Sequence, residues 1–553
     1  MKKDILFCLG ILFLTGCSFN GEIKRSIHNE NENPDSTSTQ AAESTRTLVP
    51  TNLPVQLQIL WISPAVPSEL AQSAISSGIS IAASPELATI RLDADKNMGG
   101  LNVGRSTWIY AFVAPFPSLQ DGIKMEDLTL AWMGDATSSL SDSPVWMDGS
   151  TLAALTTLWG KPNPTFNVRI AQPEDILDSA WNVQPSFAII PFEQIEPRWK
   201  VLSVDGQSPI RKDFNPETYP LKINFSLVGE AAQQLGVALP GSNRDPEKMT
   251  TLVMTGVTAL VRATAYKMEI KGRTYPGEAM RDWLVNADIT HISNEIPFAP
   301  ECPYPELVNY TLFFCSNPLN IELLEYIGTD IIELTGNHFQ DWGSAATLFT
   351  LDMYNQRRWP YFGGGANLED ARKPITLEHN GTKLAFIGCN PAGPDFAWAT
   401  ETEPGAAPCD WDWMKTELAR LRAEGYLPIA TFQYYEGYSV WPGPAQKADF
   451  QKMADAGAVI VSGSQAHLPM TMEFHNGSFI HYGLGNLFFD QMDYPGVGTG
   501  TRREFIDRHV FYNGKYINTE LLTAMLEDYS RPRPMTEQEK LLFLSDIFEA
   551  SGW

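Results

Sequence analysis

Basic residues are scarce in this 553-residue sequence: 40 Lys and Arg stand against 65 Asp and Glu, a formal net charge of −25. A phosphate backbone needs cationic partners, so this balance argues against nucleic-acid binding and against charge-driven adhesion to an anionic membrane. Cysteine is also rare, 6 in all, and no two form a Cys-x-x-Cys pair, which disfavours a zinc–thiolate centre. The run Gly363-Gly364-Gly365 lacks the spacing of a dinucleotide fingerprint, and no Lys follows it as in a phosphate-binding loop.

The N-terminus is more specific. Lys2-Lys3, an apolar stretch over residues 5–14, and Leu14-Thr15-Gly16-Cys17 describe an export signal, too short to span a bilayer as a helix. It resembles the bacterial lipoprotein signal, which implies removal of residues 1–16, lipidation of Cys17, and an exported, extracytoplasmic protein anchored to the cell membrane. Residues 17–52, dominated by Asn, Glu, Ser, Thr, Gln and Ala, cannot offset chain entropy by burial and read as a disordered tether. Cys302, Cys315, Cys389 and Cys409 remain. An even number in an exported protein permits disulfides; sequence neighbours favour Cys302 with Cys315 and Cys389 with Cys409, with the other pairings open.

The remaining length exceeds one ordinary core, so two α/β domains are expected, residues 53–245 and 246–553. In the first, strands such as Trp108-Ile-Tyr-Ala-Phe-Val-Ala-Pro115 and Ser186-Phe-Ala-Ile-Ile-Pro191 alternate with helical segments. That order loosely resembles the phosphate-type periplasmic solute-binding fold. Trp132, in Trp132-Met133-Gly134, and Trp159, in Trp159-Gly160, could line a ligand cleft but read rather as core packing. The turn-rich Pro240-Gly241-Ser242-Asn243-Arg244-Asp245-Pro246 marks the boundary.

In the second domain, apolar strands discharge polar residues at their carboxyl ends, where open α/β sheets build their sites. Asp330-Ile331-Ile332-Glu333-Leu334 empties into Gly336-Asn337-His338-Phe339-Gln340-Asp341. Ile289-Thr-His-Ile292 leads to Glu295, residues 427–432 to Glu436, Ala458-Val-Ile-Val461 to Ser464-Gln465-Ala466-His467, and Ser478-Phe-Ile-His-Tyr482 to Gly483-Leu484-Gly485-Asn486. A closing strand pair after Arg502 and a C-terminal helix capped by Thr536, with Leu541, Leu544 and Phe548 on its inner face, complete the pattern.

These motifs, in this order and spacing, resemble the bacterial capsule-synthesis CapA family, associated with poly-gamma-glutamate. The resemblance implies a calcineurin-like metallophosphoesterase fold, a four-layer α/β/β/α sandwich, and a site of Asp, Asn, Glu and His holding divalent ions. Carried over by position, it implies Glu295, Asn337, Gln465 and His467 as metal ligands and His338, Asp341, Glu436 and Asn486 as catalytic residues. Departures narrow that reading. Gly256-Val257 stands where the family has Gly-Asp, Phe432 where it has a His, and Ser464 and Gln465 where it has two more. One divalent ion, Mn, Zn or Mg, is therefore expected rather than two. The expected function is a hydrolase-like role in capsule or poly-gamma-glutamate synthesis or anchoring. The alternative is a non-catalytic lipoprotein that binds an envelope polymer or small solute. Glu295 and Glu436 also have a structural reading, as ion-pair partners of Arg262 or another cation, and Asn337, Asp341 and Asn486 as turn caps.

Overall fold

In the strand Met249–Thr255 every residue is buried. Successive strand side chains point to opposite faces, and here both faces are covered. Leu252 and Met254 enter a core shared with Phe386, Ile429, Ile460 and Phe479 of a second sheet. Val253 between them packs with Leu284, Leu324 and Leu351 of overlying helices. The same alternation splits Ile331 from Ile332, and Ile429 and Phe386 from Ala430 and Ile387. Two sheets thus face each other and carry helices outside, the four-layer α/β/β/α sandwich expected for this region.

The computed structural model describes residues 58–76, 78–95, 103–229, 232, 239–308, 311–493 and 499–553. The export signal, Cys17 and the tether to residue 52 lie outside the described residues. From Gln56 onward the chain forms one compact unit.

Across the first sheet of the sandwich run Tyr361–Phe362, Ile331–Glu333, Ile289–Asn294 and Met249–Thr255, mutually parallel, then Arg503–Tyr512, Lys515–Glu527 and Arg531–Pro534, antiparallel. Across the second, Thr382–Cys389, Leu427–Phe432, Ile460–Ser462 and Ser478–His481 are parallel, with antiparallel edges Ile375–His379 and Met472–His475. Arg262–Lys271, Ile321–Tyr326 and Gly343–Arg357 lie on one outer face, Trp411–Ala423 and Pro444–Asp455 on the other. The helix Glu537–Ala550 begins with a capping box between Thr536 and Glu539. It buries Phe543, Leu544, Ile547 and Phe548, whereas Leu541 is exposed, so the expected inner face is displaced from that residue.

Strands between Ile59 and Val228 make a separate mixed sheet. Lys222–Val228 returns antiparallel between Ile90–Ala94 and Val103–Pro115, a pairing no local pattern announced. Trp132 is buried and meets Trp159 edge-on at 5.2 Å, as core residues do. This sheet touches the sandwich through Asn518, whose amide donates to the Trp199 carbonyl at 2.6 Å, and through Arg211, paired with Glu520 at 3.0 Å. Cys302 is bonded to Cys315 and Cys389 to Cys409, the neighbour pairing favoured above.

Near the carboxyl ends of the strands the layer between the sheets turns polar. His481 Nδ1 meets Asp507 Oδ2 at 2.6 Å, Gln465 Nε2 donates to Ser293 Oγ at 2.6 Å, and Ser464 Oγ donates to Glu333. Each of these bonds joins one sheet to the other. His509, also buried, binds Thr519 Oγ1 through Nδ1 at 2.7 Å. Burial, with His481 and His291 nearby and only Asp507 opposing, holds its pKa down to about 4. The unfolded chain therefore takes up a proton near the ordinary value of 6.5 while the folded chain does not, so this stability is present above that value and drains as pH falls toward 4. The His509→Gln variant should lose about 3 kcal/mol less than the parent between pH 7 and pH 4, read from urea melts at stepped pH. Parallel curves would remove His509 from the account.

Candidate functional site

Five segments converge where the parallel strands end. Ile289–Asn294 delivers Glu295, Ile331–Glu333 delivers Asn337 and His338, Leu427–Phe432 delivers Glu436, and Ile460–Ser462 delivers Gln465 and His467; Asn486 opens the strand Asn486–Phe488. The approach is tight. A Cβ on Gly336 would lie 2.7 Å from the Glu295 Cα, and one on Gly256 would lie 1.9 Å from the Gly485 carbonyl oxygen, so only glycine admits these contacts.

His467 is the hub. Asn486 donates its amide to the His467 carbonyl at 3.3 Å and the Thr501 carbonyl at 3.2 Å, which turns Oδ1 toward His467 Nδ1 at 2.8 Å. An amide oxygen only accepts, so Nδ1 carries the proton and Nε2 faces the carboxylates. Those are Glu436 at 3.5 Å and Glu295 at 3.8 Å. Burial works against a charged ring, but the bond to Glu436 and the field of Glu295 prevail and raise its pKa to about 9. Burial raises the Glu295 pKa, with His467 and His338 pulling against it. Glu436, at the rim, is held below its ordinary value by His467 first, despite partial burial, with Asn337 contributing a hydrogen bond.

His338 forms a second unit. Its Nδ1 meets Asp341 Oδ2 at 2.6 Å, and the Phe314 backbone N–H donates to the same oxygen at 2.8 Å. Burial opposes charge on His338, while Asp341 and Glu295 raise its pKa. Both imidazoles rest on phenyl rings, His338 on Phe314 at 4.3 Å and His467 on Phe489 at 5.2 Å. The Arg262 guanidinium stacks on the same two rings, at 5.0 and 4.8 Å. Its charge is answered by Asp490, so Arg262 is not the partner of Glu295 or Glu436. Sequence reasoning missed this backing; Arg262 lies 228 positions from Asp490, and nothing local announces the pairing.

All eight carried-over residues therefore lie at one end of the sandwich. The turn-cap reading of Asn486 is corrected, because its amide donates to carbonyls and its Oδ1 meets His467, whereas Asp341 both accepts the Phe314 N–H and holds His338. Val257 is buried among Ile296, Phe314 and Phe489, and Phe432 among Trp411 and Phe450, so neither departure leaves a polar gap.

Among the described residues, no group of three or more His, Cys, Asp or Glu side chains is disposed to hold a metal ion. The donor set is mixed instead. Both Glu295 carboxylate oxygens, Asn337 Oδ1 and Gln465 Oε1 are buried and accept no hydrogen bond. Buried acceptors normally find a donor. Four oxygens without one, beside one imidazole, suit a single hard or borderline cation.

Residues 251–491 match the family described as bacterial capsule synthesis protein PGA_cap, so the recognition of this region holds. The chain is 25% identical over 281 residues to the capsule biosynthesis protein CapA of Bacillus anthracis, covering 49% of this chain and 67% of the relative. It is 28% identical over 178 residues to the PGA biosynthesis protein CapA of Bacillus subtilis, covering 32% and 47%. It thus spans two thirds of one relative and about half of the other. Similar solved structures include an ABC-type phosphate transport receptor from Vibrio cholerae, at 13% identity, TM-score 0.27, covering 33% of this chain and 100% of that one. Another is the Haemophilus influenzae NAD nucleotidase, at 10% identity, TM-score 0.31, covering 54% and 56%.

The Gly336→Ala variant should lose about 1–3 kcal/mol, because the methyl meets backbone that cannot swing aside. Gly241→Ala, whose Cβ meets nothing within 4 Å, serves as control. Urea melts compare them, and equal stabilities would show that Glu295 is not held by this contact.

Proposed function

On the premise that residues 251–491 match the capsule synthesis family, we propose that this protein works on an envelope polymer at the strand-end site, in capsule or poly-gamma-glutamate synthesis or anchoring. In this reading Glu295, Asn337, Gln465 and His467 hold one divalent cation, Mn, Zn or Mg. The observation that carries it is four buried oxygens without donors, on Glu295, Asn337 and Gln465. A divalent ion bound there would polarise an ester-type oxygen and sharpen a water as nucleophile.

The chain's own residues divide the rest. His338, held by Asp341 and biased toward its charged form, donates a proton to a leaving oxygen. Glu436, half-exposed at the rim, is ionised and accepts one. Asn486 fixes the His467 ring so that Nε2 points inward.

A second reading has its own support: with Val257 and Phe432 filling would-be ligand positions, the His467 imidazolium answers Glu295 and Glu436 by itself, and the site binds polymer or solute without catalysis.

Location and architecture belong to the same proposal. Lipidation at Cys17 anchors an exported protein, with the domain boundary near residue 245. Two disulfides support an oxidising, extracytoplasmic compartment. Among the described residues no helix is long and apolar enough to cross a membrane.

Metal ligation requires neutral His467, whose pKa is raised to about 9, so affinity should rise by up to roughly tenfold per unit between pH 7 and pH 9. Calorimetric titration with Mn²⁺ and Zn²⁺ at stepped pH, thermal shift against EDTA, and turnover of generic phosphoesters and poly-gamma-glutamate test this. Glu295→Gln should abolish the metal-dependent shift. No bound metal and no turnover would leave the non-catalytic reading.

A further inference from the structure

The segment between Phe432 and Pro444 supplies Glu436 to the site, yet most of its side chains have no part in the chemistry above. It walls a cavity of about 540 Å³ that opens beside Glu436 and His467. Tyr435 is 65% exposed and Trp441 61% exposed. Neither ring is loose: Tyr435 meets Tyr434 edge-on at 5.4 Å, Tyr434 is tied to Asp449 at 3.0 Å, and the Trp441 indole N–H donates to the Ala550 carbonyl at 3.1 Å. Aromatic surface held in place beside a cavity offers a ligand a face to stack on.

Trp441 also walls a second cavity of about 450 Å³, together with Leu468, Pro469 and Phe543. The two cavities share this indole, so a chain molecule lying across it would touch both. The electrostatics choose among chain molecules. No Lys or Arg lines the first cavity, and Glu436 and His467 answer each other there. The one basic residue of the second, Arg503, is 3.5 Å from Asp546, with Glu549 also in that wall. A polymer with a carboxylate on every unit would find along this path only cations already paired with carboxylates, Arg503 with Asp546 and His467 with Glu436, in a protein that is itself strongly acidic. A pyranose ring suits it: its C–H face packs on an aromatic ring while its hydroxyls reach Glu436.

We propose that this cleft binds a neutral glycan chain, with a pyranose stacked on Trp441 and another directed past Tyr435 toward Glu436. The inference rests on the envelope-polymer reading of the site and narrows it from capsule or poly-gamma-glutamate to an uncharged saccharide.

Isothermal titration of the full chain in EDTA tests it, with cellohexaose, maltohexaose and chitohexaose as neutral probes and poly-gamma-glutamate as the anionic one. A neutral hexasaccharide should bind with an affinity indifferent to salt. Trp441→Ala and Tyr435→Ala should each weaken it roughly tenfold or more while thermal unfolding is unchanged, and Trp441→Phe should restore part of the loss. Absence of binding by all three neutral probes overturns the proposal, as does salt-sensitive binding of poly-gamma-glutamate that both alanine variants retain. Because EDTA is present throughout, a failure of metal binding or turnover leaves this result untouched, and the two readings fail separately.

Discussion

A carboxylate buried without a hydrogen-bond donor governs this molecule. Removing such a group from water costs several kcal/mol unless a countercharge answers it, and Glu295 is fully buried with both oxygens free of donors. Its nearest answer is the His467 imidazole, 3.8 Å away. That answer depends on Asn486, which sets the ring's proton, and Asn486 depends on the Thr501 carbonyl, which sets the amide. The chain thus surrounds one unfavourable charge with fixed dipoles from three separated segments.

Much of the sandwich was legible because its central strands are buried on both faces and so read as continuous apolar runs. The strand-end positions of Glu295, Asn337, His338, Glu436, Gln465, His467 and Asn486 followed from those runs. The polar layer between the sheets did not. His291, Glu333, His481, Asp507 and His509 sit inside apolar strands, and their partners are set by register and by the facing of two sheets. His481 and Asp507 are 26 positions apart and belong to different sheets. No spacing rule connects them. The same limit hid Phe314, Phe489 and Arg262 behind the two site histidines.

The departures from the resembled family are absorbed into packing, and that bears on chemistry. Val257 is paired in register with Ser293 on one neighbour and Asn486 on the other, so it stands within the site's floor. An aspartate there would enter an apolar cluster with Ile296 and Phe489, which is unfavourable without a metal to meet it. Phe432 is likewise locked between Trp411 and Phe450. Each position has an apolar environment to match its side chain. The carboxylates that remain in the site are Glu295, buried, Glu436, at the rim, and Asp341, held against His338.

That reduction and the character of the neighbouring loop belong together. The segment that begins at Phe432 places Tyr434, Tyr435, Tyr438 and Trp441 around the cavity, and the only carboxylate it adds to that wall is Glu436. A site with two ions would carry strong positive charge and would draw anionic substrates by field alone. In the proposed one-ion reading, with Glu295 and Glu436 opposing the ion, the field is weaker and recognition rests more on shape and apolar contact. Exposed aromatic rings supply that contact, and they line the same cavity as Glu436. The paired charges of the floor and the aromatic surface at the mouth therefore point to the same kind of ligand.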